Sequence, residues 1–225
     1  MKNLIIPALR TFLVGFAVFS TLLFLAAWTL DYWQAWVFIA VFMASSNAIG
    51  VYLSLKDPEL LERRKQAGPW AEPRMAQQII ISFVIIGFFG LIVFSAFDHR
   101  FGWSRIPPSV SLAGDVLVAL GFFIDFLVLR ENSYGASNIR TFEGQRVIST
   151  GPYAFVRHPM YAGVLIMMIG IPLALGSWWG LAVLALNLPM LIWRILDEER
   201  LLKKELPGYM EYTQNIRYRL VPFVW

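Results

Sequence analysis

Two small groups of polar side chains border the last apolar segments of the sequence. The first contains Arg157 and His158, at the point where a polar loop gives way to an apolar run. The second, two apolar segments later, contains the adjacent acids Glu198 and Glu199. Arginine and histidine donate hydrogen bonds to anions, whereas carboxylates accept them from ammonium groups and hydroxyls. Together the two groups could bind one ligand that carries both kinds of polar group.

The residue after His158 predicts where a helix begins. Pro159 suits the first helical position, because the N–H that proline lacks has no intrahelical partner there. The free N–H groups and partial positive charge of a helix start attract an anion such as a carboxylate. Tyr161 adds a hydroxyl, and Gly163 leaves room for a flat ring or another backbone. A plainer interpretation also fits, in which Arg157 is a membrane-surface anchor and the other residues only start a helix.

The second group begins at Arg194, directly after an apolar run. Arg194 and Glu198 are four residues apart, so they share one face of a helix. Asp197, Glu198 and Glu199 are three consecutive acids where basic residues predominate, and a bound cation would explain them. An ordinary solvated helix end with ion pairs is the alternative. S-adenosylmethionine carries a carboxylate, an ammonium group, a ribose diol and an aromatic base, which match both groups.

The composition predicts a membrane protein. Of the 225 residues, 58% are hydrophobic and 15% are charged, whereas soluble domains have about 45–50% and about 25%. Apolar runs of about 20 residues cross a bilayer as helices. We therefore expect an all-α, polytopic transmembrane helical bundle of about five to six spans. The predicted spans cover about 9–30, 34–55, 76–97, 110–130, 160–175 and 178–196.

Glycine and serine at 176–177 divide the last apolar stretch into two segments, which predicts a helical hairpin. A hairpin returns the chain to the membrane face that it left, so both polar groups should meet there and form a cofactor site. Little sequence lies outside the spans, and residues 1–225 are expected to form a single integral membrane domain. With no cysteine and only two histidines, the sequence predicts no metal site.

The basic residues are distributed unequally between the two predicted faces. Of the 19 lysines and arginines, only Arg100 and Arg105 lie on one side, which leaves 17 on the other. Lysine and arginine concentrate in cytoplasmic loops, so both termini and the active site are expected to be cytoplasmic. The net charge of +4 then reflects contact with the lipid bilayer, and no nucleic-acid partner is expected. The segment 216–225 alternates basic and apolar residues, as is typical of an interfacial anchor.

The run from Gly151 to Gly163, followed by Arg194-x-x-x-Glu198-Glu199, closely resembles the isoprenylcysteine carboxyl methyltransferase family. That family, like the related phospholipid methyltransferases, consists of integral membrane enzymes that use S-adenosylmethionine. The resemblance covers about residues 130–222. It implies a methyltransferase-like core at 110–225, preceded by N-terminal spans at 1–109. By this resemblance the cofactor-binding residues are Tyr153, Arg157, His158, Pro159, Tyr161, Gly163, Glu198 and Glu199.

The resemblance implies transfer of a methyl group from S-adenosylmethionine to a lipophilic or small acceptor. A carboxylate acceptor needs no base, whereas a thiol or an amine must lose a proton. His158 and Glu199 are the candidate catalytic groups for that step, and Arg194 is the third catalytic residue that the resemblance implies. The acceptor can be a carboxylate, a thiol or an amine.

Two alternatives stay open. Membrane sterol-type reductases, which use NADPH, resemble the same C-terminal half, but they favour asparagine in an Arg-His-Pro-Asn-Tyr motif and an acid after the glycine. Met160 and Val164 stand at those positions here, which favours methyl transfer. A non-enzymatic transporter or scaffold is the second alternative. It predicts that intramembrane polar residues such as Asp125 and Asn47 line a path, and it leaves the two polar groups without a role.

Overall fold

A computed structural model describes the backbone of residues 2–225 and the side chains from Leu9 onward. Within those residues the fold is all-helical, with no strand, as the composition predicts. The α-helices are α1 (Lys2–Ala27), α2 (Trp33–Lys56), α3 (Pro58–Lys65), α4 (Met75–Phe101), α5 (Pro108–Glu131), α6 (Pro159–Ala174), α7 (Trp179–Glu205) and α8 (Tyr209–Asn215). Single 3-10 turns form at Pro69–Ala71 and Gly151–Ala154.

Five of the described helices are long and apolar enough to cross a membrane, which confirms a multi-pass membrane protein. They are Leu9–Ala27 of α1 and the whole of α2, α4, α5 and α7. Five of the six predicted spans agree with these helices, although α7 continues to Glu205, beyond the predicted end near residue 196. The second polar group therefore lies on a helix that continues out of its apolar segment. The remaining predicted span, 160–175, corresponds to the shorter helix α6.

Helix α6 has only 16 residues and is the sixth apolar helix. It begins at Pro159, as predicted, and the chain turns at Gly176, where φ is +76°. The Tyr32 hydroxyl, in the turn between α1 and α2, donates a hydrogen bond of 2.6 Å to the Leu175 carbonyl oxygen. The end of α6 therefore reaches the level of the α1–α2 turn. The α6–α7 hairpin crosses the bundle and returns.

Glycines allow α5 and α6 to pack closely. A methyl group added at Gly121 would lie 2.6 Å from the Gly163 carbonyl oxygen, and one added at Gly170 would lie 2.7 Å from that of Gly114. Small residues let two membrane helices bring their backbones together in this way. The start of α6, which carries the first polar group, is thus held firmly against α5.

The two ends of the bundle differ in character. One end has short turns and is held by Asp98, which accepts hydrogen bonds from the Ser104 hydroxyl (2.6 Å) and the Ser177 hydroxyl (2.5 Å). The other end carries α3, the segment 132–158 and the residues after α7. We call it the loop-rich end. It contains both polar groups identified in the sequence.

Candidate functional site

A cavity of about 320 Å³ lies at the loop-rich end. Its volume is within the range of about 300–1,000 Å³ that is usual for small-molecule sites. The residues of the two polar groups and their neighbours that line it are Tyr153, Arg157, His158, Pro159, Tyr161, Arg194 and Glu198. Two predicted site residues, Gly163 and Glu199, are not among the lining residues. The hairpin therefore brings the two polar groups to one cavity.

Glu199 joins the two groups directly. Its Oε1 atom lies 3.1 Å from Arg157 Nε and 3.4 Å from His158 Nε2. Its Oε2 atom accepts a hydrogen bond of 3.1 Å from Arg219 Nε. The Glu199 residue is only 2% exposed, and a buried charge requires partners of this kind. Glu199 therefore neutralises and orients the first group from behind the cavity wall.

Glu198 faces the cavity instead. It accepts a hydrogen bond of 2.6 Å from the Tyr161 hydroxyl, which itself accepts one of 3.1 Å from Arg194 Nε. These two hydrogen bonds connect α6 with α7 across the cavity wall. Because Glu198 has a single neutral donor in the described part of the chain, its carboxylate keeps acceptor capacity for a ligand.

One face of α7 supplies a continuous stripe to the cavity. Leu191, Arg194, Glu198 and Leu202 are spaced three or four residues apart and all line it. The stripe has a polar centre with an apolar residue at each end. Ile81, Val84 and Val164, from the spanning segment of α4 and from α6, extend the apolar lining at the Leu191 end. The cavity thus has a polar region at the loop-rich end and an apolar region inside the bundle.

Arg194 is held by residues that the sequence analysis did not identify. Its Nη2 atom forms an ion pair of 2.9 Å with Glu72, and its Nη1 atom donates a hydrogen bond of 2.8 Å to Gln77. Glu72 is 3% exposed and also accepts a hydrogen bond from the Ile139 backbone N–H (3.1 Å). The segment between α3 and α4 therefore fixes Arg194. Spacing within the sequence gave no signal for it, because the partners are far apart along the chain.

The segment 132–148 forms the roof of the cavity and rests on α3 and the residues after it. Arg64 donates a hydrogen bond of 2.9 Å to the Gly135 carbonyl oxygen, and the Asn138 amide donates one of 2.9 Å to that of Ala71. Arg64 also lines the cavity, and burial lowers its pKa from the usual value. The N-terminal half thus contributes a charged side chain to the site.

Tyrosine hydroxyls line the cavity near the roof. Burial raises the pKa of Tyr153 to about 12, so the hydroxyl stays protonated at neutral pH while it accepts a hydrogen bond of 2.8 Å from the Asn132 amide. Burial also raises the pKa of Tyr209 well above its usual value. The Tyr209 hydroxyl and Asn138 Oδ1 are buried and have no hydrogen-bond partner among the described residues. Both atoms therefore keep unused hydrogen-bonding capacity in residues that line the cavity.

The segment 216–225 lies behind the residues that line the cavity and contacts them. The Arg157 and His158 backbone N–H groups donate hydrogen bonds of 2.9 Å to the carbonyl oxygens of Tyr218 and Arg219. The alternation of basic and apolar residues in this segment did not predict that contact.

Gly163 faces α5 rather than the cavity. A methyl group added to it would lie 2.6 Å from Asp125 Oδ1 and 2.9 Å from the Gly121 carbonyl oxygen. Asp125 Oδ1 is buried and has no hydrogen-bond partner in the described part of the chain. Of the two roles that the sequence analysis considered for this glycine, room for a flat ring or for another backbone, the contacts with α5 fit the second.

Replacing Gly163 with alanine is expected to lower the free energy of unfolding by about 1–3 kcal/mol, because the added methyl group forces α5 and α6 apart. Unfolding in detergent micelles, followed by tryptophan fluorescence, measures the change. Gly90→Ala is the matched control, since nothing lies within 4 Å of its added methyl group. Equal stability of the two variants would contradict the packing role.

The comparison with known families agrees with this geometry. Residues 110–207 match the sequence model of the phospholipid methyltransferases. The match runs from α5 past the end of α7, so this phospholipid methyltransferase-like region includes both polar groups. It supports the broad class of membrane methyltransferases that the sequence resemblance indicated, whereas the isoprenylcysteine branch stays a prediction. Three residues outside the matched region contact it. Arg64 and Glu72 precede it in the sequence, and Arg219 follows it.

A curated relative of another activity is also similar. The Delta(14)-sterol reductase TM7SF2 of Mus musculus is 30% identical over 94 residues, which are 40% of this chain. The aligned stretch spans 22% of that protein. It corresponds to the reductase alternative considered from the sequence.

Proposed function

We propose that the protein is an integral membrane methyltransferase that binds S-adenosylmethionine in the cavity at the loop-rich end and methylates a lipophilic or small acceptor. One observation carries the proposal: both polar groups of the phospholipid methyltransferase-like region line the same cavity. The cofactor-binding residues in this proposal are Tyr153, Arg157, His158, Pro159, Tyr161 and Glu198, with Gly163 and Glu199 supporting them from behind.

The polar atoms of the cavity suit this cofactor. Glu198 and Asn138 Oδ1, which has no hydrogen-bond partner within the described part of the chain, are acceptors for an ammonium group, a ribose diol or the amino group of a base. Arg157 and the Tyr209 hydroxyl, which has no hydrogen-bond partner among the described residues, are donors for a carboxylate. When bound, S-adenosylmethionine supplies an electrophilic methyl group on a positively charged sulfur. The residues of the chain hold both reactants in line, and such positioning is a large part of catalysis.

The proposal divides the three catalytic candidates. His158 Nε2 faces Glu199, which leaves Nδ1 to take a proton from a thiol or an amine. Arg194 and Glu199 are engaged by protein partners, and we assign them to the orientation of Tyr161 and His158. A carboxylate acceptor would require no proton transfer at all.

The apolar end of the cavity favours an acceptor with a hydrocarbon part. Ile81, Val84, Val164 and Leu191 line that end within the membrane-spanning part of the bundle. An acceptor dissolved in the bilayer would bury its apolar portion there and present its reactive group to the polar region. The basic residues that surround the loop-rich end support a cytoplasmic orientation of the site and of both termini.

We also infer that residues 1–225 act as one domain, in which the N-terminal spans serve the methyltransferase-like core. The Glu72–Arg194 ion pair and the Arg64–Gly135 hydrogen bond support this, because both join the N-terminal half to the cavity.

Purified protein in detergent micelles is expected to bind S-adenosylmethionine in a calorimetric titration, and not NADPH. Glu198→Gln is expected to weaken that binding about tenfold or more, because a charged acceptor of hydrogen bonds is lost. Glu211→Gln, on the exposed face of α8, is the control and should bind like the wild-type protein.

Transfer is then measured with methyl-labelled S-adenosylmethionine and an extract of lipids and thiols, with mass identification of the labelled product. Binding of NADPH without binding of S-adenosylmethionine would establish the reductase alternative instead. Binding of neither cofactor would leave the transporter or scaffold as the better interpretation.

A further inference from the structure

The segment 216–219 lies directly against the first polar group. Its backbone accepts hydrogen bonds from the N–H groups of both Arg157 and His158, at 2.9 Å each. Consecutive residues that lead into α6 are therefore paired with consecutive residues of the C-terminal segment. The position of this segment fixes the backbone at the start of α6, which forms one wall of the cavity.

The Arg219 side chain adds a second connection. Its Nε atom donates to Glu199 Oε2 at 3.1 Å, and its guanidinium carbon lies 5.3 Å from the centre of the Trp225 ring. Arg219 thus lies between a buried acid and an aromatic face, both of which favour a cation. It does not line the cavity, so any effect on a ligand must act through Glu199.

Every charged group that faces Glu199 contributes to its position. Oε1 is shared by Arg157 and His158, whereas Oε2 has Arg219 at 3.1 Å and Lys203 at 3.8 Å. The Lys203 side chain is 38% exposed, and an exposed ion pair at that distance is weak. Arg219 is therefore the principal partner that keeps the Glu199 carboxylate turned so that its other oxygen meets His158.

We propose that Arg219 is a positioning residue of the methyl-donor site, which orients His158 through Glu199. The consequence for cofactor binding depends on the proposed function, whereas the orientation of His158 does not. This separates the two ideas experimentally. The assignment gives the C-terminal segment a role in the reaction rather than in attachment to the membrane surface alone.

The test compares Arg219→Gln and Arg219→Lys with Arg217→Gln, which removes the same charge from an exposed position two residues away. The protein has two histidines, so a nitrogen NMR spectrum of histidine-labelled protein in micelles has few ring signals. A His99→Gln sample identifies those of His158. Titration with S-adenosylmethionine is measured on the same samples, and thermal melting monitors folding.

Arg219→Gln is expected to shift the His158 Nε2 signal and to weaken S-adenosylmethionine binding about tenfold to a hundredfold, as loss of a charged hydrogen bond would. Arg219→Lys keeps the charge without the Nε donor. It should change the His158 Nε2 signal and the affinity for S-adenosylmethionine less than Arg219→Gln does, at an unchanged melting temperature. Arg217→Gln should change neither. If Arg219→Gln fails to fold, a larger His158 shift in Arg219→Lys than in Arg217→Gln would still show that Arg219 orients His158.

An unchanged His158 signal in both Arg219 variants would overturn the inference, as would equal shifts in the Arg217 control. Wild-type cofactor affinity together with a shifted His158 signal would also overturn it, because the orientation would then not matter for the site. A wild-type protein that does not bind S-adenosylmethionine would refute the proposed function, and the His158 signal would still decide whether Arg219 orients that ring.

Discussion

Replacing Arg194 with methionine is expected to lower the free energy of unfolding by about 3–5 kcal/mol, which is usual when a buried charge loses its partner. The Glu72 side chain is 1% exposed and would be left charged beside a thioether. Gln77 and Tyr161 would each lose a hydrogen bond in the same substitution. Unfolding by SDS in mixed micelles, followed through the nine tryptophans, measures the loss.

Two further variants make this result specific. Arg200→Met, on the exposed side of α7, should change stability by less than about 0.5 kcal/mol, as surface substitutions usually do. The double variant Glu72→Gln with Arg194→Met should be more stable than Arg194→Met alone, because it removes the unpaired charge. If the double variant were less stable than the single one, Glu72 would have another charged partner, and the assigned ion pair would be wrong.

Replacing Glu199 with alanine is expected to have a comparable effect on stability, about 3–5 kcal/mol, and to abolish measurable S-adenosylmethionine binding. Arg157 and Arg219 both contact this carboxylate, so its loss leaves the buried Arg157 guanidinium close to a second, partly exposed positive charge. Their repulsion would separate the C-terminal segment from the start of α6. Thermal melting and calorimetric titration of the purified protein give the two quantities.

The control for this substitution is Glu205→Ala, at the exposed end of the same helix, where the Thr141 hydroxyl is the carboxylate's one hydrogen-bond donor among the described side chains. This substitution should lower the free energy of unfolding by no more than about 1 kcal/mol, the usual net value of a hydrogen bond. Glu199→Gln should have a stability between those of Glu199→Ala and the wild-type protein, because the amide keeps one acceptor oxygen. A Glu199→Ala protein as stable as Glu205→Ala would contradict the central position that the contacts give to Glu199.

The sequence predicted the features of the fold that depend on the properties of neighbouring residues. Pro159 predicted the start of α6, and the glycine at 176 predicted the turn of the hairpin, because each residue has a strong backbone preference of its own. The apolar runs predicted the spanning helices. Hydropathy predicted the apolar segment of α7 but not the end of the helix, because a helix can continue out of the membrane when its polar face gains partners, as it does at Asp197 with Arg74 (2.7 Å).

The partners of the charged residues were not predictable in the same way. The sequence indicated that the two polar groups meet, but it treated their charges as open to a ligand. In the structure Glu199 and Arg157 neutralise each other, since burial makes an unpaired charge costly. Glu72 and Arg219 complete the arrangement from segments far away along the chain, and no spacing rule connects such residues.

The stripe on α7 also sets the depth of the cavity relative to the membrane surface. From Leu191 to Glu198 the helix rises about 10 Å, at about 1.5 Å per residue. The distance between the apolar and the polar surroundings is therefore set by the length of this part of α7. A thicker hydrocarbon layer would surround the Glu198 carboxylate with lipid and a thinner one would expose the Leu191 end to water, so we expect the stability of the protein to depend on bilayer thickness.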